Sequence, residues 1–235
     1  MTEYVVEFGR DGRVEPDGRL DAPPFHRNHQ AIRAVLQRVL AGKSGDVVEA
    51  GSGTGQHVVD FARHFPGIVW WPSDLHDAHL KSIAAWRAHA GLANIRPPLR
   101  IDLSDPAWCP ELRDGSVAPL LAVFCANVIH IAPWRVAEGL FAGAARYLRA
   151  DGQLLLYGPF KRDGRHTALS NAVFDTSLRH RDPEWGVREI QDLEKLAGHV
   201  GLALTEVAEM PANNLVLVFE RAEQARPGSP SPVHM

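Results

Sequence analysis

The segment Glu49-Ala50-Gly51-Ser52-Gly53-Thr54-Gly55 places glycine at every second position directly after the apolar pair Val47-Val48. Glycine permits a tight turn there and leaves bare backbone against which a ligand can press where a Cβ would block it. A helix that follows such a turn presents unpaired amides and the positive end of its dipole to that ligand. Further along, Asp74, Asp102 and Asn127 each come at the end of an apolar stretch. Asp74 lies 19 residues after Gly55, where an acidic side chain can accept both hydroxyls of a ribose. A carboxylate at Asp102, with Leu103 beside it, can accept from the exocyclic amine of an adenine. Taken singly, each polar residue is as well explained as a strand-end or helix-cap group. Four such features in register at one edge of a sheet point to a nucleotide-like ligand.

For these residues to meet, strands and helices must alternate. Ile32, Val35, Leu36 and Val39 recur at helical spacing and predict a helix from about Asn28 to Leu40. The β-branched run over 46–51 predicts a strand, and 56–65 a helix closed by Pro66-Gly67. A second strand follows over 68–71 and stops at Pro72-Ser73-Asp74, then a helix over 76–90 and a short third strand over 99–103. Leu120 to Ala126 is apolar on both faces, as a central parallel strand requires. Pro133 opens a helix to about Leu148, and 152–158 is a fifth strand. Residues 161–186 read as a polar loop, 187–200 as a helix, and 202–209 with 215–220 as an antiparallel hairpin. The expected fold is α/β, a mostly parallel Rossmann-like sheet with helices on both faces and a C-terminal antiparallel hairpin.

The remaining composition narrows the function classes. Among 235 residues, 45% are hydrophobic and 23% charged, and the net charge is -3 without blocks of like charge. That balance excludes a nucleic acid or anionic membrane held by bulk electrostatics. Cys109 and Cys125 lie 16 residues apart, form no CxxC pair, and read as buried thiols. The N-terminus shows neither a basic nor an apolar leader segment, and no apolar run spans a bilayer, so the expected compartment is the cytoplasm. Residues 1–27 read as an irregular arm or lid, 28–221 as one domain, and 222–235 as a disordered tail.

The glycine spacing selects among nucleotide-like ligands. A dinucleotide fingerprint, G-x-G-x-x-G, would need glycine where Gln56 stands. Glu49 followed by G-x-G-x-G instead resembles the first motif of class I S-adenosylmethionine (SAM)-dependent methyltransferases, written E/D-x-G-x-G-x-G. The likeness continues at Arg27-Asn28, at 127–134 (Asn-Val-Ile-His-Ile-Ala-Pro-Trp), at 157–164 (Tyr-Gly-Pro-Phe-Lys-Arg-Asp-Gly) and at 210–215 (Met-Pro-Ala-Asn-Asn-Leu). Together these segments resemble the methyltransferase-like family called domain of unknown function 938, over about residues 22–221. The resemblance implies a seven-stranded sheet and SAM as cofactor, held by Glu49, Gly51, Ser52, Gly53, Gly55, Asp74, Asp102, Leu103 and Asn127. It implies no particular methyl acceptor.

The acceptor side is expected beyond the fourth and fifth strands. His130, three residues after Asn127, is the candidate general base; its alternative is a structural histidine bonded to a loop carbonyl. Tyr157, Phe160 and His166 are the candidate substrate-binding residues, with Tyr157 equally suited to the core. Arg27 can pair with the cofactor's carboxylate, and Asn28 either supports it or caps the first helix. His76 and His79 are three apart without a third ligand, so no metal is expected. A small-molecule acceptor is favoured, and the oligomeric state stays open. An NAD-dependent oxidoreductase is the enzymatic alternative, since Asp74 would suit its ribose. A non-catalytic SAM- or nucleotide-binding regulator is the other.

Overall fold

The computed structural model describes residues 13–108 and 119–222. Val47 and Val48 are neighbours, both inaccessible to solvent, and they belong to different cores. Successive side chains of a strand point to opposite faces, so a strand covered on both sides is apolar throughout. This strand, β1 (Gly45–Ala50), lies in the middle of a seven-stranded sheet. Its companions are β2 (Ile68–Asp74), β3 (Leu99–Arg100), β4 (Leu120–Ala126), β5 (Leu148–Gly158), β6 (Leu202–Met210) and β7 (Asn214–Arg221). Their order is β3-β2-β1-β4-β5-β7-β6. Neighbours pair in parallel except β7, which is antiparallel to both β5 and β6. The expected sheet and its closing hairpin are both present.

Helices cover each face. α1 (Pro23–Val39), α2 (Gln56–His64) and α3 (Asp77–Ala90) pack on the Val47 side. Phe61 of α2 meets Trp70 and Phe124 there, with ring centroids 5.4 and 5.5 Å away. On the Val48 side lie α4 (Trp134–Tyr147) and α6 (Ile190–His199), with Leu140, Phe141 and Leu193 fully buried. Burying each such side chain contributes roughly 1.5–3 kcal/mol, which outweighs the modest helix propensity of these segments.

The structure corrects several boundaries. α1 begins at Pro23, not near Asn28, because a proline in the first helical turn lacks only an N–H that would be unpaired anyway. Ala22 therefore occupies the cap position, and Asn28 lies in the second turn, so it is no N-cap. The supposed loop 161–186 contains α5 (Leu169–Arg181) and two short strands. Those strands, Phe160–Arg162 and Arg165–His166, form a small sheet with Arg188–Glu189, which delays α6 to Ile190. Arg13–Val14 and Leu20–Asp21 form a short antiparallel pair within the expected arm. Residues 1–12, Cys109 and the tail from 223 lie outside the described residues. Cys125 is a buried thiol pushed up to about 12 by desolvation. No described helix is long and apolar enough to cross a membrane.

Candidate active site

The three glycines after β1 adopt positive φ of 74°, 56° and 89°, and their surroundings differ. A Cβ on Gly51 would stand 2.3 Å from Val128 Cγ2, and one on Gly55 would stand 2.9 Å from the Ile83 backbone. A Cβ on Gly53 would meet nothing within 4 Å. Gly51 and Gly55 thus let β4's loop and α3 close in, while Gly53 faces open space. That space is a cavity of about 190 Å³ lined by Gly51, Gly53, Asp74, Asp102, Leu103 and Val128, among others.

Asp74 is the most constrained group in it. Its Oδ2 accepts from the Gly53 amide at 3.0 Å, and its Oδ1 from the His76 amide at 3.0 Å. His79 Nδ1 also lies 3.0 Å from Oδ1. Burial alone would raise this carboxyl; the hydrogen bond and charge of His79, with the two amides, outweigh it and hold the pKa below the ordinary value. His79 was not anticipated as a site residue. Its spacing from His76 suggested only an incomplete metal motif, and nothing in the sequence couples α3 to the end of β2. Asp102 lies two residues beyond β3, where its Oδ1 accepts from Ser104 N at 2.9 Å and Ser104 Oγ at 2.7 Å.

Glu49, Ser52 and Gly55 do not line the cavity; they build it from beneath. Ser52 N donates to Ser73 O at 2.7 Å and Ser52 Oγ accepts from Ser73 N at 3.1 Å, stitching β1's end to β2's. Glu49 is buried, and its Oε2 has no hydrogen-bond partner. Desolvation pushes its pKa up to about 8; a hydrogen bond with Ser52 opposes this and the nearby Asp74 charge reinforces it. Gln56, which replaces the third glycine of a dinucleotide motif, has a separate task. Its Oε1 accepts from Ala22 N at 2.8 Å and its Nε2 donates to Asp21 Oδ1 at 2.6 Å, so it ties the segment before α1 to the turn. Ser82 and Trp86 of α3 hold Leu20 of the same segment, at 2.9 Å each.

A second, more polar cavity of about 400 Å³ lies next to the first. Ala126 and Val128 line the first cavity, Asn127 the second. Asn127, at φ 62°, is the turn between them. Arg27 also lines the second cavity and not the first. Asn28 lines neither: its Oδ1 lies 2.8 Å from His57 Nε2, and it hydrogen-bonds Tyr157. The expected substrate residues are elsewhere. Tyr157 and Phe160 are core residues, 4% and 0% exposed. His166 is held by Asp175, its Nε2 3.2 Å from Oδ2.

His130 is also displaced from its expected place. It is fully buried, stacks edge-on against Phe160 at 4.9 Å, and lines neither cavity. Desolvation, aided by the Arg188 charge, lowers its pKa to about 3. Its carbonyl accepts from Gly186 N at 2.9 Å and its Nδ1 faces Arg188 N at 3.4 Å. A general base must reach the proton it takes, and this geometry offers no such access. The walls of the second cavity come instead from α5 (Asn171, Phe174) and the β6–β7 turn (Ala212, Asn213).

With this geometry in hand, comparison with known proteins is informative. The family model described as Protein of unknown function (DUF938) matches residues 19–221. The chain belongs to this family. Among solved structures, the fold is shared with an O-methyltransferase family protein from Burkholderia thailandensis, at TM-score 0.68 and 17% identity over 82% of this chain and 56% of that one. An O-methyltransferase family 2 protein from Planctomyces limnophilus, solved with apigenin, matches at TM-score 0.66 and 16% identity over 83% and 56%. CalO1, a methyltransferase in calicheamicin biosynthesis in its SAH-bound form, matches at 0.62 and 17% over 82% and 54%. The chain therefore spans just over half the length of these structures. At such identities the DUF938 protein shares their fold.

Proposed function

We propose that this DUF938 protein is a SAM-dependent methyltransferase with a small-molecule acceptor. One observation carries the reading: the Gly53 amide and the Asp74 carboxylate are bonded across the floor of the first cavity, with open space above Gly53. A ligand with a ribose fits there, since a carboxylate held by three donors keeps one of its roughly four acceptor sites, on Oδ2, for a hydroxyl. Glu49 adds to the fit. Its unpartnered Oε2 beneath the turn, protonated below about pH 8 in the free chain, would ionise to balance the cofactor's ammonium group. The fold shared with a methyltransferase solved with SAH and an O-methyltransferase family 2 protein solved with apigenin supports the same reading.

When bound, SAM supplies an electrophilic methyl group on a sulfonium. The chain's own residues bind and orient. Asp74 would hold the ribose and Asp102 the adenine amine, while Ile101, Leu103 and Val136 give that end an apolar wall that excludes water. The acceptor would approach across Asn127 from the second cavity. Proximity and alignment for an in-line displacement then supply most of the rate enhancement. We assign His130 a structural part, a neutral post behind Phe160 that keeps the Asn127 turn and the Arg188 loop together.

Incubation with SAM carrying a labelled methyl group and a small-molecule extract tests this reading by mass spectrometry. The expected outcome is a metabolite that gains the label, with stoichiometric SAH. SAH formed without any labelled product, or no turnover of bound SAM, would favour a hydrolase or a regulatory binding protein.

A further inference from the structure

The second cavity has a chemical character of its own. Among the described residues, Arg27 is the only charged side chain lining it, and no carboxylate lies within ion-pair distance of its guanidinium. Arg27 is exposed on α1, which is anchored beside it because the adjoining Asn28 is buried and bonded to His57 and Tyr157. Pro159 and Phe174 give the same cavity apolar lining, and Leu169 and Val173 are exposed on the same helix as Phe174. Asn127, Asn171, Asn213 and Asn214, with Ser170 and Ala212, complete the lining.

The backbone around this cavity is unusual as well. Four described non-glycine residues have positive φ, and three of them line it: Asn127 at 62°, Ala212 at 58° and Asn213 at 59°. Such conformations cost free energy for residues with a Cβ and persist where surrounding contacts hold them. One holding contact is visible. Asn171, buried on α5, donates through Nδ2 to Asn213 O and to Thr167 Oγ1, each at 2.9 Å. The cavity is thus braced from two elements distant in sequence, beside the residue that separates it from the first cavity.

We propose that the second cavity is the acceptor site and that it takes an anionic small molecule with a flat apolar body, such as an aryl carboxylate. Arg27 forms a charge-assisted pair with the anion, and Phe174 and Pro159 pack on the body. The proposal deepens the methyltransferase reading and rests on it. It also reassigns Arg27 from the cofactor's carboxylate to the acceptor's.

The test uses the full chain saturated with SAH and three probes: 4-hydroxybenzoate, 4-hydroxybenzamide and tyramine. Ligand-observed NMR gives their affinities, and calorimetry gives that of SAH. The acid is expected to bind at least about tenfold more tightly than the amide or the amine. Arg27→Ala should remove that preference. Asn213→Asp, which puts a negative charge on the cavity wall at a residue type that tolerates positive φ, should do the same. Both variants should keep SAH affinity and melting temperature. Equal binding of acid and amide, or acid binding unaffected by Arg27→Ala, overturns the proposal. A tenfold loss of SAH affinity in Arg27→Ala overturns it too, by returning the guanidinium to the cofactor. If the unmodified chain fails to bind SAH, the methyltransferase reading itself falls. SAH binding without preference for the acid removes only the acceptor assignment.

Discussion

The two cavities flank the same residue, Asn127, yet they are built by opposite means. The first is assembled along one edge of the sheet, from the turns that follow β1, β2, β3 and β4, with Asp74 clamped by two backbone amides. Its shape follows from backbone that few other sequences could adopt. The second draws on α1, β4's end, α5 and the β6–β7 turn, and it is held by side-chain bonds such as that from Asn171. A cofactor common to many enzymes suits a site built on the strand ends that the fold itself provides. An acceptor peculiar to one enzyme suits a site whose walls vary independently.

If that contrast is right, single changes in the first region should be severe and specific to the cofactor. Gly53→Val would place a branched side chain where the cavity is open and should abolish measurable SAH binding while the chain stays folded. Calorimetry and circular dichroism check both halves, and normal binding would make the turn merely structural. Next in size is the pH dependence of stability around Glu49. Its folded pKa of about 8 lies above the ordinary 4.5, so its contribution is fully present below pH 4.5. Between those values the unfolded chain releases a proton that the folded chain keeps, and stability falls by up to about 5 kcal/mol as pH rises through the window. Urea titrations at several pH values should show this slope flattened in Glu49→Gln; an unchanged slope would place the titration elsewhere.

The acid side has the opposite sign. His57 and His130, lowered to about 4 and about 3 by burial, contribute stability that is present above 6.5 and lost as pH falls toward those values. Asp74→Ala should weaken SAH by about 3 kcal/mol, the value of one or two hydrogen bonds to a charged group. An unchanged titration with the fold intact would remove Asp74 from the site. The smallest effect belongs to the second region. Asn171→Ala should cost about 1–2 kcal/mol and speed amide exchange in α5, without altering SAH affinity. A matching loss of cofactor binding would show the two regions to be one.

The same contrast explains what was legible in the sequence. β1 and β4 could be read because strands buried on both faces must be continuously apolar. Gly51, Gly53 and Asp74 could be read because their spacing is local. α5 was missed because its buried residues are Asn171, Asp175 and Leu178, while apolar Leu169 and Val173 face solvent. Its apolar periodicity therefore marks the wrong face. Pro23 and Pro24 fall in the stretch read as an irregular arm, yet they open the first helical turn. Ala212 carries no sign of its positive φ, which the hairpin and its neighbours impose. His130 was chosen for its distance along the chain from Asn127, and distance along the chain says nothing of burial. Phe160 and the Arg188 loop enclose it.

The most direct test of the account is a titration of the full chain with SAH and, separately, with NAD. The glycine turn with Gln56 in third place, Asp74 fixed for a ribose and Glu49 beneath it lead to a definite expectation. SAH should bind saturably with one site per chain, at concentrations where NAD produces no heat. Saturable binding of NAD without binding of SAH would contradict the account and make the first cavity a dinucleotide site.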